Sequence, residues 1–199
     1  MRHLALAIPA LLLVSCGHAE TGSRESSAIG SRNFALAGFD EVALRVSDDV
    51  EVLVGKAFSV SATGPEAVLD RLEIVVENGV LKIGRMANSS WHIGWSGKGE
   101  KGVKVVVTMP AMRGARLAGS GNMSVDRATA DAFKASLAGS GDLKIGNVEA
   151  KSVDLDLAGS GNIEIAGRTG TIDVSGAGSG NIMARALEAE TADISIAGS

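Results

Sequence analysis

Tyrosine is absent from this sequence, and two tryptophans and four phenylalanines bring the aromatic share to only 3%. A chain so poor in rings cannot fill a wide globular core, because aromatic side chains supply much of the bulk of such cores. It suits a thin, layered interior of Val, Ile, Leu and Ala. Proline is scarce as well, with 3 residues. A single cysteine, Cys16, excludes an intramolecular disulfide. The formal net charge of −4 leaves no basic surplus to neutralise phosphates, which argues against a nucleic-acid partner. The longest N-terminal apolar run, Leu4 to Val14, falls short of the roughly 20 residues that span a bilayer.

What the chain does contain is glycine, 26 residues of it, within a length of 199 that allows one domain or two small ones. Its start has the order of an export signal: Met1-Arg2-His3, the aliphatic run, then Ser15-Cys16-Gly17. Leu13-Val14-Ser15-Cys16 resembles a bacterial lipobox. That resemblance implies residues 1–16 as signal peptide, cleavage before Cys16, and a lipid anchor on its sulfur, which would place the protein in the cell envelope as an outer-membrane lipoprotein. Cleavage near Ala19, giving a soluble periplasmic or secreted protein, is the alternative. Residues 17–33 are Ser-, Gly- and Glu-rich and read as a flexible tether.

From Phe34 the pattern changes to period-2 alternation, as in Val42, Leu44 and Val46, then Val50, Val52 and Val54, the mark of half-buried strands. Ser47-Asp48-Asp49 reads as a turn and Glu66 to Leu72 as one helical turn. Glu77-Asn78-Gly79 between apolar runs reads as a hairpin turn. A polar, Gly-rich segment, 86–102, carries both tryptophans, Trp91 and Trp95.

The last third is a tandem repeat. Ala118-Gly119-Ser120-Gly121-Asn122 returns at Ala138, Ala158 and Ala177, and a fifth copy begins at Ala197; the spacings are 20, 20, 19 and 20. The flanks repeat too. Apolar residues stand one, three and five positions before each motif, as Leu157, Leu155 and Val153 do. They stand one and three after its Asn or Asp, as Ile163 and Ile165 do. Asp154, Asp156, Asp173, Lys144 and Glu164 alternate with them, so each repeat is strand, glycine bend, strand and turn with one side inward. A further inward position falls at Ala128, Val148 and Leu187. One such unit cannot bury its apolar side, whereas stacked units can. The pattern predicts an all-β fold: a right-handed parallel β-helix, or β-solenoid, of about 20-residue coils, preceded by strands and hairpins that cap or begin the stack. Residues 34–113 are those strands and 114–199 the repeats. Asn122, Asp142, Asn162 and Asn181 are expected to form one polar ladder and Ser120, Ser140, Ser160 and Ser179 a second.

Catalytic and cofactor motifs are poorly served. Gly119-Ser120-Gly121 lacks the third glycine and following helix of a dinucleotide loop. The spacing does not fit calcium-binding nonapeptide repeats. No Ser, His and Asp pattern suggests a triad, and no metal or cofactor is expected. Outward Asp154 and Asp173, on neighbouring coils, leave glycan cleavage as an alternative, although outward acids also keep a strand soluble. Trp91 and Trp95 are the candidate contacts for a sugar or protein partner, or else they fold back onto the solenoid.

Asp70-Arg71-Leu72, Val76-Glu77-Asn78-Gly79 with Leu81-Lys82-Ile83, Val105 and Val107 before Pro110, and the Ala-Gly-Ser-Gly-Asn/Asp repeats together resemble the bacterial GIN-type autotransporter adhesin head domain family, a domain of unknown function. The resemblance covers residues 34–199. It implies an exported β-helix-like fold, often on lipoproteins, and carries over no catalytic residue. The expectation is therefore a non-enzymatic, envelope-associated module for binding, adhesion or scaffolding, whose partner is an unknown envelope protein or glycan. A polysaccharide-binding or glycan-cleaving protein on the same scaffold is the alternative. The sequence stops in mid-motif at Ser199. The natural chain is expected to continue, since solenoids usually end in an atypical capping repeat. Otherwise the open end pairs end to end, or the molecules associate side by side.

Overall fold

The computed structural model describes residues 28–86 and 102–198. In chain order its elements are β1 (Ile29–Phe34), β2 (Glu41–Leu44), β3 (Asp49–Val54), β4 (Ser59–Pro65), the single helical turn α1 (Glu66–Leu69), β5 (Leu72–Glu77), β6 (Val80–Arg85), β7 (Lys104–Met109), β8 (Gly114–Gly119) and β9 (Asn122–Val125). Four long, bent strands follow: β10 (Ala128–Gly139), β11 (Asp142–Gly159), β12 (Asn162–Gly178) and β13 (Asn181–Gly198).

The repeats form a parallel β-solenoid. Each coil has three sides. The first runs through 134–139, 154–159, 173–178 and 193–198, stacked in register on β8. The second begins at Asn122, Asp142, Asn162 and Asn181, and the third at Ala128, Val148, Gly167 and Leu187. The apolar residues at alternate positions all point inward. Leu137, Leu143, Ile145, Leu155 and Ile163 are fully enclosed, and each such side chain contributes roughly 1.5–3 kcal/mol by leaving water. The coil with 19 residues is shortened at one corner: β11 has Gly146-Asn147 between Ile145 and Val148 where β12 has Ala166 alone. Only glycine suits the tightened path, since Gly167 has φ 128° and a Cβ there would lie 2.1 Å from the Val148 carbonyl oxygen.

The N-terminal strands enter the same stack. β2 lies parallel on β8 with Leu44 beside Leu117, and β3 lies parallel on β9 with Asp49 beside Asn122. Leu44-Arg45-Val46-Ser47-Asp48-Asp49 is thus a worn copy of Leu117-Ala118-Gly119-Ser120-Gly121-Asn122. On the far side of this coil β6 stacks on β2 and β7 on β3, again parallel. The chain therefore builds the inner coil first, turns outward to make the one before it, and then crosses to start the repeats. Antiparallel strands finish this end: β5 on β6, β4 on β7 and β1 on β4. Leu69 of α1 is buried beneath them, with Arg32 and Arg85 donating to the α1 carbonyls of Leu69 and Val68.

One expected boundary moves. Residues 29–33, placed in the tether by their composition, belong to β1, where Ile29 to Phe34 pair with Pro65 to Val60. An edge strand takes its hydrogen bonds from a distant partner, which local composition does not report. The hairpin at Glu77-Asn78-Gly79 and the single helical turn form as the sequence suggests, with Asn78 and Gly79 both at positive φ.

Candidate functional site

The corner between the first and second sides sets the geometry of the outer surface. At each corner the carbonyl of the first glycine accepts two N–H groups from the next coil. The Gly139 carbonyl takes Ser160 N–H at 2.9 Å and Gly161 N–H at 3.1 Å; Gly119 and Gly159 repeat this. The second glycine's carbonyl accepts the Asx N–H, as Gly141 does from Asn162 at 3.1 Å. These carbonyls point along the stack and fill the space where a Cβ would stand. A methyl group on Gly161 would meet the Gly141 oxygen at 2.2 Å. The first glycine has positive φ in addition, 129° at Gly159, whereas the second needs to be glycine for the close approach.

Just past the corner, the side chains of Asp49, Asn122, Asp142, Asn162 and Asn181 stand in register. Asn122 Nδ2 donates to Asp49 Oδ1 at 2.8 Å, Asn162 Nδ2 to Asp142 Oδ1 at 2.7 Å, and Asn181 Nδ2 to Asn162 Oδ1 at 2.9 Å. Ser120, Ser140, Ser160 and Ser179 occupy the exposed corner itself, where the bonds holding Ser140, Ser160 and Ser179 are backbone ones rather than a chain of hydroxyls.

On the first side, Asp154, Asp173 and Asp193 form a column facing outward on successive coils. Lys134 Nζ lies 2.7 Å from both Asp154 and Asp156, and these carboxylates hold its ammonium above the ordinary lysine range, Asp154 foremost. Further ion pairs span neighbouring coils: Lys144 with Glu164, Lys151 with Asp131, and Arg168 with Glu188. Among the described residues no group of three or more His, Cys, Asp or Glu is placed to hold a metal ion, and no helix is long and apolar enough to cross a membrane.

Residues 38–199 match the family described as putative auto-transporter adhesin, head GIN domain. The chain belongs to this family. Solved structures share its fold. A putative adhesin from Bacteroides fragilis superposes with a TM-score of 0.75 at 17% identity, over 87% of this chain and 78% of that one. A putative lipid binding protein and a putative adhesin, both from Parabacteroides distasonis, give TM-scores of 0.65 and 0.64 at 23% and 20% identity. They cover 87% of this chain and 81% and 80% of theirs. No curated protein matches the sequence.

Within this GIN domain the residues of the amide ladder come together. Cys16, Trp91 and Trp95 fall outside the described residues. The two ends of the segment that carries the tryptophans are nonetheless fixed. Asp48 is 2% exposed, and its Oδ1 accepts from Arg85 Nη2 at 2.7 Å and from Val103 N–H at 2.9 Å, one group on each side of the segment. Local composition marks Asp48 only as a turn residue. The signal that finds it is the five-residue step from an inward Leu to an Asx, shared by Leu44–Asp49, Leu117–Asn122, Leu137–Asp142 and Leu157–Asn162, which sets Asp48 in the column of Gly121, Gly141 and Gly161. Lys134 was likewise missed. Its signal is a cation exactly one coil from an acid at equivalent positions, Lys134 and Asp154.

Proposed function

We propose that this GIN domain is an exported, envelope-associated binding and adhesion module that works as a non-enzymatic scaffold. The family it belongs to supports a binding or adhesion role. The observation that carries the reading is the outer surface: in-register columns of amides, serines and acids on open β faces, with charges such as Lys134 and Asp154 neutralised between coils. Such a surface offers a periodic array at the interstrand spacing of about 4.8 Å, suited to a long ligand laid across several coils. The lipobox-like Leu13-Val14-Ser15-Cys16 supports anchoring to the membrane.

A pull-down from envelope extracts identifies the partner, and a glycan array compares the wild type with Asn122→Ala/Asn162→Ala and with Trp91→Ala/Trp95→Ala. Binding that survives both double variants unchanged removes these residues from the reading. Cys16→Ser is expected to shift the protein from the membrane fraction to the soluble one.

The glycan-cleaving alternative needs two carboxyl groups flanking one bond, about 5–9.5 Å apart. Asp154 and Asp173 neighbour each other, but on an exposed face, with Asp154 already engaged by Lys134. Release of reducing ends from envelope polysaccharide, abolished in Asp154→Asn/Asp173→Asn, would favour that alternative over a scaffold.

A further inference from the structure

The polar column of the second side outruns the repeats. From Asp49 it continues through Lys104 on β7 and Thr63 on β4 to Ser31 on β1, each residue in register with the next and exposed. In the other direction it is the amide ladder through Asn122, Asp142 and Asn162. Two positions further along the strands, Glu51, Ser124, Lys144 and Glu164 form a second outward column beside it.

Both columns part at β9. Glu51 reaches back to Lys104 on β7 at 2.8 Å, and Lys144 reaches forward to both carboxylate oxygens of Glu164 on β12 at 3.0 Å. Each long side chain thus leans away from Ser124, the short residue between them. In the ladder, Asn122 donates back to Asp49, and Asp142 accepts from Asn162 ahead of it; among the described residues no hydrogen bond joins Asn122 to Asp142. What opens over β9 is a trough of about 460 Å³, floored by Asn122 and Ser124 and bounded by Glu51, Lys104, Asp142 and Lys144. That volume lies within the range of small-ligand sites.

The groups around the trough call for a partner that both donates and accepts. Asp49 and Asp142 give their Oδ1 atoms to the ladder, and among the described residues neither Oδ2 accepts a hydrogen bond. Lys104 and Lys144 carry three N–H donors apiece, and each is engaged by a single carboxylate. Three carboxylates, Asp49, Glu51 and Asp142, stand around two ammonium groups, which leaves no positive surplus for an anion. A hydroxyl group meets both demands, since it donates to a carboxylate and accepts from an ammonium.

We propose that this trough seats an uncharged, hydroxyl-rich glycan whose chain runs along the stack. The site rests on the reading of the domain as a binding module and gives that module a ligand class. Sugar units to either side of the trough lie over Thr63 and Ser31 in one direction and Asn162 in the other, on rungs about 4.8 Å apart.

Amide chemical shifts of the Cys16→Ser chain, measured by NMR during titration with cellohexaose, maltohexaose and chitohexaose, test the site, with hexagalacturonate as the anionic counterpart. At least one neutral oligomer is expected to give saturable shifts centred on Asn122, Ser124, Asp142 and Lys144. Ser124→Lys sets a long side chain into the trough at an exposed position and abolishes them, while Ser175→Lys, equally exposed on the first side, leaves them unchanged. Asp142→Asn keeps an Asx on the ladder but removes the carboxylate. It weakens binding by about tenfold, the worth of one hydrogen bond to a charged group. No saturable shift with any neutral oligomer overturns the proposal, as does a preference for hexagalacturonate or binding that survives Ser124→Lys. Saturable shifts that fall on the first or third side instead keep the binding module and remove the trough from it.

Discussion

At the N-terminal end of the stack the parallel strands β6 and β7 lie under antiparallel β5 and β4, α1 closes the floor, and Leu69 is 1% exposed. At the other end β13 repeats the inward pattern of the coils beneath it, yet Ile194 is 64% exposed where Leu155, two coils down in the same column, is 0%. The residues differ little in kind. What differs is whether a coil lies on both sides. Burial in this molecule belongs to the stack rather than to the repeat, as nearest-neighbour energetics of solenoids require. The first end carries its own lid in the sequence.

Substitutions at matched positions put that contrast to the test. The largest difference is expected in one column: Leu155→Ala loses about 2–5 kcal/mol from the cavity it leaves, while Ile194→Ala changes the stability of an isolated chain by less than about 0.5 kcal/mol. Urea unfolding of the two variants measures it, and equal losses would mean that β13 is covered in solution. Next come the glycines. Gly161→Ala drives a methyl onto the Gly141 carbonyl oxygen, and overpacking of this kind costs about 1–3 kcal/mol. Gly84→Ala, in β6, meets nothing within 4 Å and has no positive φ. It is expected to be neutral or to stabilise by about 0.4–1 kcal/mol through the unfolded chain. Thermal melts of the pair separate a coil corner from a capped edge.

Asp48→Ala removes the acceptor of a buried N–H at Val103 and the partner of Arg85, at a cost of about 1–3 kcal/mol. Hydrogen exchange should then rise first at β6 and β7, leaving β11 and β12 protected. Uniform loss of protection would show that the ends do not open independently. The smallest effect is electrostatic. The pair Lys134–Asp154 is about half exposed, so a double-mutant cycle with Lys134→Met and Asp154→Asn should return about 0.2–1 kcal/mol. The sign with pH follows from the raised ammonium value. The contribution is complete below the unfolded lysine value of 10.5 and is lost as pH climbs through the higher folded one. A coupling energy that grows above that pH would contradict the ion pair.

The repeats were legible in the sequence because a fixed period is a global signal: Ala-Gly-Ser-Gly-Asx and its flanks name the inward residues, the corner and the amide ladder without help from tertiary structure. The earlier coils were not. Val46 and Asp48 stand where Gly119 and Gly121 stand in the next coil, so the motif is erased although the geometry persists. The order of assembly, with β6 and β7 outside β2 and β3, rests on contacts distant along the chain, which local alternation cannot encode. The role of the second corner glycine also needed the structure. A repeated corner glycine implies either a positive φ or no room for a Cβ, and at Gly121 and Gly161 it is the second, a carbonyl oxygen on the neighbouring coil.

Asp48 occupies the glycine column, which is closed to side chains wherever an intact corner lies beneath. Its carboxylate accepts instead from Arg85 at the end of β6 and from the Val103 N–H just before β7, the groups on either side of segment 86–102. A carboxylate in this column therefore works as a splice mark. Exchanging residues 87–101 for a segment of another length should therefore leave the stack intact as long as Asp48 keeps both Arg85 and the Val103 N–H.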